Sequence, residues 1–399
     1  MPDNSIVVAG HLCLDITPAF HRTDASGFGE LLVPGALLNV GPCTVSTGGP
    51  VSNTGIALVK LNCDTVMMAK VGNDPFGRSV VEKMRELGAD GGIIVVDGEH
   101  TSYTVALAPP GLDRVFLHHP GANDTFGADD IPYEKLDDAG LFHLGYPPLM
   151  RRMFLDDGKE LAETLRRARE RGVTVSLDMS LPDPSSESGA VDWDTVLQRV
   201  LPYVDIFLPS AEEVLFALER DRFMRRRERS AREGIDALEL FTPDDYSRLS
   251  ERLLSYGVAV AGLKSGHRGI YVRTASAERL RSCGRVQLGD IDAWADRELW
   301  EPPFVVESVA SATGAGDSAI AGFLAAVVKG ASLQDALRVA AAVGAQNVTA
   351  LDATSGIGSW EQTLEMVQSR PKAVVDIDAS GWRFDHSGQR WHGPGDSRR

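Results

Sequence analysis

Short continuous apolar runs punctuate the chain at Ile6 to Ala9, Val66 to Val71, Ile93 to Val96, Val173 to Leu177, Ile206 to Leu208 and Val258 to Leu263. Runs of this kind, rich in Val and Ile, predict strands buried on both faces. Longer amphipathic stretches separate them. Over Phe154 to Arg171, Leu161, Leu165 and Ala168 share one helical face while Glu163, Arg166, Arg167 and Glu170 take the other, which predicts a surface helix. Buried strands alternating with such helices predict an α/β domain with a doubly wound, mostly parallel sheet.

Two segments, 12–42 and 101–123, break this rhythm. They are rich in turn residues and carry short alternating runs, with Tyr103, Val105 and Leu107 on one parity, and Pro109-Pro110-Gly111 followed by Arg114 to His118 reads as a hairpin. Neither segment can bury a core alone, so together they predict a small β lid over one edge of the sheet, of the kind that excludes water from a reaction. Glu219 to Glu233, with Arg225, Arg226 and Arg227 in succession, reads as a solvated helix or loop inside an insertion over 219–247, and Ala277 to Pro303 reads as a second excursion. Residues 1–370 therefore form one domain. The stretch Pro371 to Arg399, polar around Trp382 and Trp391, is expected to be a tail, disordered in part or packed loosely.

Charge narrows the function classes. Forty Lys plus Arg against 56 Asp plus Glu leave a net charge of -16 over 399 residues, which argues against nucleic acid or anionic lipid as a partner. No apolar run approaches the ~20 residues that span a bilayer, and Met1 to Ala9 lacks a basic segment leading into a long hydrophobic one, so a cytoplasmic protein is expected. Cys13, Cys43, Cys63 and Cys283 form no CxxC pair, which predicts reduced thiols and no zinc site.

The strongest chemical signal is Thr313-Gly314-Ala315-Gly316-Asp317, followed by the small and apolar run Ser318 to Lys329 and Gly330. A glycine loop opening a buried helix gathers backbone N–H groups at the positive end of the helix dipole, which suits a phosphoryl group in transfer. A carboxylate at that rim repels a bound phosphate, so Asp317 either takes a proton from an attacking hydroxyl or caps the helix. A P-loop is absent, and only Gly10 follows the first strand where a dinucleotide fingerprint needs three glycines. Gly48-Gly49-Pro50-Val51-Ser52-Asn53 precedes the apolar stretch Ile56 to Leu61, and Val71 to Gly77 precedes another helix. The paired glycines permit close approach of a ligand, and Asn53 either binds a polyol or caps the helix. Asp15, shortly after the first strand, stands where open α/β sheets gather ligands, and fits vicinal hydroxyls or a solvated turn.

In order and spacing these pieces resemble the PfkB carbohydrate kinases, the ribokinase-like family, from about Ile6 to Gly358. Gly48, Gly49, Asn53 and Gly72 match its N-terminal signature, and Thr313 to Asp317 with Gly322 match its C-terminal one. The resemblance implies a three-layer α/β/α domain with a β lid that uses ATP and magnesium to phosphorylate a hydroxymethyl group of a sugar or nucleoside. It makes Asp317 the catalytic base, Gly314, Ala315 and Gly316 the anion hole, and Asp15, Gly48, Gly49 and Asn53 sugar-binding positions. Leu208 to Glu213 resembles the NxxE motif, with Glu213 acting on magnesium through its water shell. Lys264 to Gly269 resembles the loop that wraps the nucleotide, with Gly266 and Gly269 on its glycines and Thr313 alongside.

The sequence also departs from the family pattern. Ser210 replaces the Asn of NxxE and offers a shorter oxygen donor near the metal, while Val51, Gly55 and Asn62 fall outside the usual choices. Ser311 and Ala312 replace an Asp-Thr pair, which counts against the monovalent cation that many relatives bind beside the anion hole. Arg114, His118, His119, Asn123, His143 and Tyr146 lie in or near the lid and cleft, where specificity is decided, with Asn123 taken as substrate-binding. Adjacent strand residues face opposite ways, so His118 and His119 cannot share a pocket, and His143 reads as a core histidine. Relatives often pair through their lids, and apolar lid residues such as Val105 and Leu107 fit a homodimer. Two other readings stay open: a nucleoside kinase using Phe116 or Tyr103 against a base, and a sugar sensor that has lost the chemistry.

Overall fold

Alternate residues of the first strand leave it in opposite directions, and each direction meets its own layer of helices. Ile6 and Val8 pack with Ile320 and Leu324, while Val7 and Ala9 pack with Leu161, Leu165 and Trp193. A sheet covered on both faces is the three-layer α/β/α arrangement expected. The computed structural model describes residues 4–21, 25–112 and 114–397; the parts of the lid and tail expectations at 22–24, 113 and 398–399 lie outside the described residues.

Among the described residues the strands are β1 (Ile6–Gly10), β2 (Cys13–Pro18), β3 (Cys43–Gly48), β4 (Thr65–Gly72), β5 (Gly92–Val96), β6 (Tyr103–Leu107), β7 (Val115–His119), β8 (Leu141–Gly145), β9 (Thr174–Leu177), β10 (Ile206–Phe207), β11 (Val260–Lys264), β12 (Ile270–Thr274), β13 (Glu298–Glu301), β14 (Arg383–Asp385) and β15 (Arg390–His392). Eleven of them form one sheet in the order β14-β15-β13-β12-β11-β10-β9-β8-β1-β4-β5. From β5 to β11 all neighbours run parallel, and beyond β11 they run antiparallel. The chain leaves β1 for β4 on one side and later fills β8 on the other. This places a switch point, and hence a crevice, beyond the carboxyl ends of β1 and β8.

β8 has no counterpart among the apolar runs, because His143 interrupts it. That histidine is fully buried, with Nδ1 against Ser176 Oγ at 3.0 Å, so a polar residue sits in a central strand by sharing a hydrogen bond with the next one. The predicted surface helix spans Arg151–Glu170 but is broken at Leu155 to Gly158, and Leu161, Leu165 and Ala168 face the core.

The lid is a separate sheet, β3-β2-β6-β7, with β2 in the first predicted segment, β6 and β7 in the second, and β3 just beyond the first. The 219–247 insertion holds a helix at Arg220–Glu233, and Arg222 and Arg226 pair with the buried Asp245. The tail differs from expectation: β15 pairs with β13 and β14 with β15, extending the main sheet. Its charges meet buried partners. Asp396 holds Arg297 at 2.7 Å and His392 at 2.6 Å, and Lys372 and Arg390 both pair with Glu301. These residues read as solvent-facing because their partners lie in the irregular 277–303 stretch, where no strand was expected.

Candidate active site

The Ala315–Val328 helix is buried from Asp317 to its end, as a helix apolar on all sides must be. Gly314 feeds it from the left-handed region, at φ 75°, where a Cβ would stand 2.5 Å from the Ala353 Cβ. Asp317 makes no capping bond. Its carboxylate turns inward instead, where Asn53 Nδ2 donates to Oδ2 at 2.8 Å and the Tyr146 hydroxyl donates to Oδ1 at 2.9 Å and Oδ2 at 3.0 Å. Asn53 is not a cap either: it lies inside the Pro50–Lys60 helix, which starts at Gly49. Both capping alternatives are thereby set aside. Burial pushes the Asp317 carboxyl above its ordinary range, against the pull of Asn53, Lys264 and Tyr146. Burial also pushes the Tyr146 phenol well up, with Asp317 adding to it, so the hydroxyl stays a donor.

Asp317 is one of three carboxylates, with Asp178 and Glu213, that act on a single ammonium, that of Lys264. Lys264, at the end of β11, donates to Asp178 at 2.6 Å and to the Leu208 carbonyl at 2.6 Å. Its Cε would lie 3.3 Å from a Cβ on Gly316, so the chain of Lys264 packs against the glycine loop. Burial lowers the tendency of Lys264 to hold its proton, but Asp178, Glu213 and Asp317 outweigh it and raise its pKa. Burial pushes the Asp178 carboxyl up to about 8 against the pull of Lys264. Asp178 was not anticipated, although it directly follows β9, and the carboxyl end of a parallel strand is where such a residue should be sought.

A cleft of about 1040 Å³ lies beneath the lid, lined among others by Asp15, Thr47, Thr104, Arg114, Phe116, Ser311, Thr313 and Ala353. Arg114 reaches from the lid to donate to Thr313 Oγ1, and to Ser311 Oγ at 3.4 Å, so the lid rests on the glycine loop. Asp15 lies in β2 opposite Ser46 and Thr104, with its carboxyl pushed up by burial. The two glycines are needed for contact: a Cβ on Gly48 would overlap the Asp15 carboxylate, and one on Gly49 would fall 2.5 Å from His11 Nδ1.

Several expected residues take other work. Asn123 is buried with both ends committed to the backbone of Leu12, accepting at 3.2 Å and donating at 3.0 Å, so it ties the lid root in place instead of facing a substrate. Ser210 caps the Ala211–Leu218 helix: its Oγ accepts from Glu213 N–H at 3.2 Å, and Glu213 Oε2 accepts from Ser210 N–H at 2.7 Å. At Gly266 and Gly269, with φ 50° and 92°, a Cβ would meet Leu238 and the Glu301 carbonyl respectively. The β11–β12 turn is thus wedged between the insertion and β13. His118 and His119 do face opposite ways, His118 toward Thr104 Oγ1 at 3.0 Å and His119 toward Tyr103 and His100. Val105 and Leu107 are half-buried, and on the lid strands the exposed apolar residues are Val45, Val115, Phe116 and Leu117.

His11, the first residue after β1, was also missed. It is buried among the predicted glycines, His118 and Tyr146.

The pfkB family carbohydrate kinase model matches residues 4–359. Fructokinase-1 of Zea mays is 26% identical over 361 residues, covering 86% of this chain and 96% of the relative. The structure of Arabidopsis thaliana ribokinase complexed with ribose and ATP superimposes with a TM-score of 0.66 at 19% identity, over 91% of this chain and 98% of that one. A Burkholderia thailandensis nucleoside kinase in complex with inosine does so with a TM-score of 0.63 at 16% identity, over 92% and 100%. With a family match that runs through the sheet, the lid and the glycine loop, the chain belongs to the pfkB family of carbohydrate kinases.

Proposed function

We propose that the chain transfers the γ-phosphoryl group of ATP to a primary hydroxyl of a sugar or sugar derivative, with Asp317 as the base. The observation that carries this reading is the Asp317 carboxylate, buried at the mouth of the Gly314–Gly316 loop and aimed by Asn53 and Tyr146. Asp317 takes the acceptor's proton. The acceptor oxygen bonds to the γ-phosphorus as the bond to the β,γ-bridging oxygen breaks, and ADP leaves. N–H groups of Gly314 to Asp317 and the helix dipole stabilise charge on the phosphoryl oxygens. Lys264, packed against the loop, adds a fixed positive charge there.

The residues present suit magnesium held through water. Asp178 Oδ2 is buried without a partner among the described residues, and Glu213 keeps one carboxylate oxygen outside its helix cap. Magnesium would supply charge neutralisation on the phosphates. The nucleotide phosphates lie toward Lys264, Gly266, Gly269 and Thr313 in this reading, and the acceptor toward Asp15, Gly48, Gly49 and Asn53. The Tyr103 ring packs on Phe76 and His119, and Phe20 and Phe116 are the aromatic residues that line the cleft, so the acceptor panel includes nucleosides beside sugars. The exposed Val115, Phe116 and Leu117 of the lid fit a second copy of the chain as partner, which sedimentation equilibrium would show as a dimer.

The test is ATP turnover with magnesium across pentoses, hexoses, sugar acids and nucleosides. One sugar giving ADP and sugar phosphate in equal amounts supports the reading. Nucleosides alone being accepted would move the chain to nucleoside phosphorylation, and tight sugar binding with no product from any acceptor would make it a sensor.

A further inference from the structure

His11 presents a polar side chain in the wrong surroundings for a structural role. It is 2% exposed, and neither Nδ1 nor Nε2 has a hydrogen-bond partner among the described residues. Buried polar atoms are almost always paired, and those that are not call for an explanation such as an absent ligand. Its position supplies one. The Gly48–Gly49 junction brings the two sides of the site together: Asp15 crowds Gly48 and His11 Nδ1 crowds Gly49. The other flank of the imidazole meets Tyr146, ring centres 6.3 Å apart, and Tyr146 carries the hydroxyl that touches Asp317. Above it stands the lid, through His118 at 5.4 Å. His11 thus lies between the carboxylate at the lid strand and the carboxylate at the glycine loop.

We propose that His11 is an acceptor-binding residue, one imidazole nitrogen forming a hydrogen bond with a hydroxyl of the sugar. This rests on the kinase reading above. Burial first, then His118, holds the imidazole down at about 3, so across the physiological range it keeps one N–H and one lone pair. A hydroxyl both donates and accepts, so it can pair with either nitrogen, whereas a carboxylate or phosphate can only accept. The inference therefore specifies a hydroxyl at this end of the acceptor.

The experiment uses the full chain and the acceptor found in the turnover panel. Its dissociation constant is measured by calorimetry without nucleotide for wild type, His11→Phe and His11→Gln, alongside thermal melts of the ligand-free proteins. His11→Phe should bind the sugar about tenfold more weakly, the loss expected for one hydrogen bond, with the KM for ATP unchanged. His11→Gln, which keeps a donor and an acceptor, should recover part of that loss. Without ligand His11→Phe should melt no lower than wild type, since it removes two unpaired buried atoms. Sugar affinity within about twofold of wild type, or a lower melting temperature with affinity unchanged, overturns the proposal. Should His11→Phe fail to fold, His11→Ala takes its place with the same outcomes for sugar affinity. An acceptor bound equally well by the variants sinks this proposal alone, whereas a panel with no acceptor at all sinks the kinase reading and this proposal with it.

Discussion

Asp317 receives hydrogen bonds on both oxygens before any substrate arrives, from Asn53 and from Tyr146. An acceptor hydroxyl must share or displace one of them, so Tyr146 sets both the aim and the proton affinity of the carboxylate. Burial raises the Asp317 pKa and the Tyr146 hydrogen bond lowers it. Removing that bond in Tyr146→Phe should let it rise further. The acid limb of the kcat profile should then move to higher pH, with kcat down about tenfold; an unmoved limb would show that the phenol does not act on the base. The same burial makes a stability prediction. A folded-state pKa above the unfolded value means the native state holds more protons between the two, so stability falls as pH rises through that window. Asp317→Asn removes the ionisable group and should melt at or above wild type at pH 7, the gap shrinking as pH falls through that window and closed below the ordinary carboxylate value of about 3.9. The glycine loop and Asp317 were legible in the sequence because a rare residue order carries them. Tyr146 was legible only as a residue near the cleft, because its contact with Asp317 spans 171 positions. His11 was silent, for a lone histidine after a strand carries no pattern.

At the scale of elements, the site depends on two chain ends that must stay where they are: the entry to the Ala315–Val328 helix and the root of the lid. Gly314 needs both its positive φ and the space beside Ala353. Gly314→Ala should cost about 1–3 kcal/mol in thermal denaturation, and turnover should fall with it as the loop N–H groups lose their aim. Wild-type stability and rate in that variant would mean the loop tolerates rearrangement. Strands built from continuous apolar runs could be read directly, as β1, β4 and β11 were. β8 could not, since His143 breaks its run and only the bond to Ser176 explains how it is buried. That strand delivers Tyr146, so the missed element and the missed role of Tyr146 have one cause.

Across the whole molecule, the tail closes the antiparallel edge of the sheet with buried charges, and local composition gives no sign of this. Arg297 and Glu301 lie on the body of the domain, and Asp396, Lys372 and Arg390 come from the end of the chain. Breaking a buried pair from one side strands the other charge, so Asp396→Ala should lower stability by about 3–5 kcal/mol in denaturant unfolding. A loss below about 1 kcal/mol would mean the tail docks without contributing, as an exposed ion pair does. The glycine loop and the separate strands of the lid were readable because each is local in sequence, whereas the β2–β6 pairing that joins the lid, the tail pairing and the acidic group around Lys264 join segments far apart. The central claim is that Asp317 takes a proton during phosphoryl transfer. The most direct measurement is the ATP turnover of Asp317→Asn with the accepted sugar, set beside its calorimetric affinity for that sugar. The account predicts turnover reduced about 10²–10⁴-fold with the protein folded and the sugar still bound. A folded variant that turns over near the wild-type rate would contradict it.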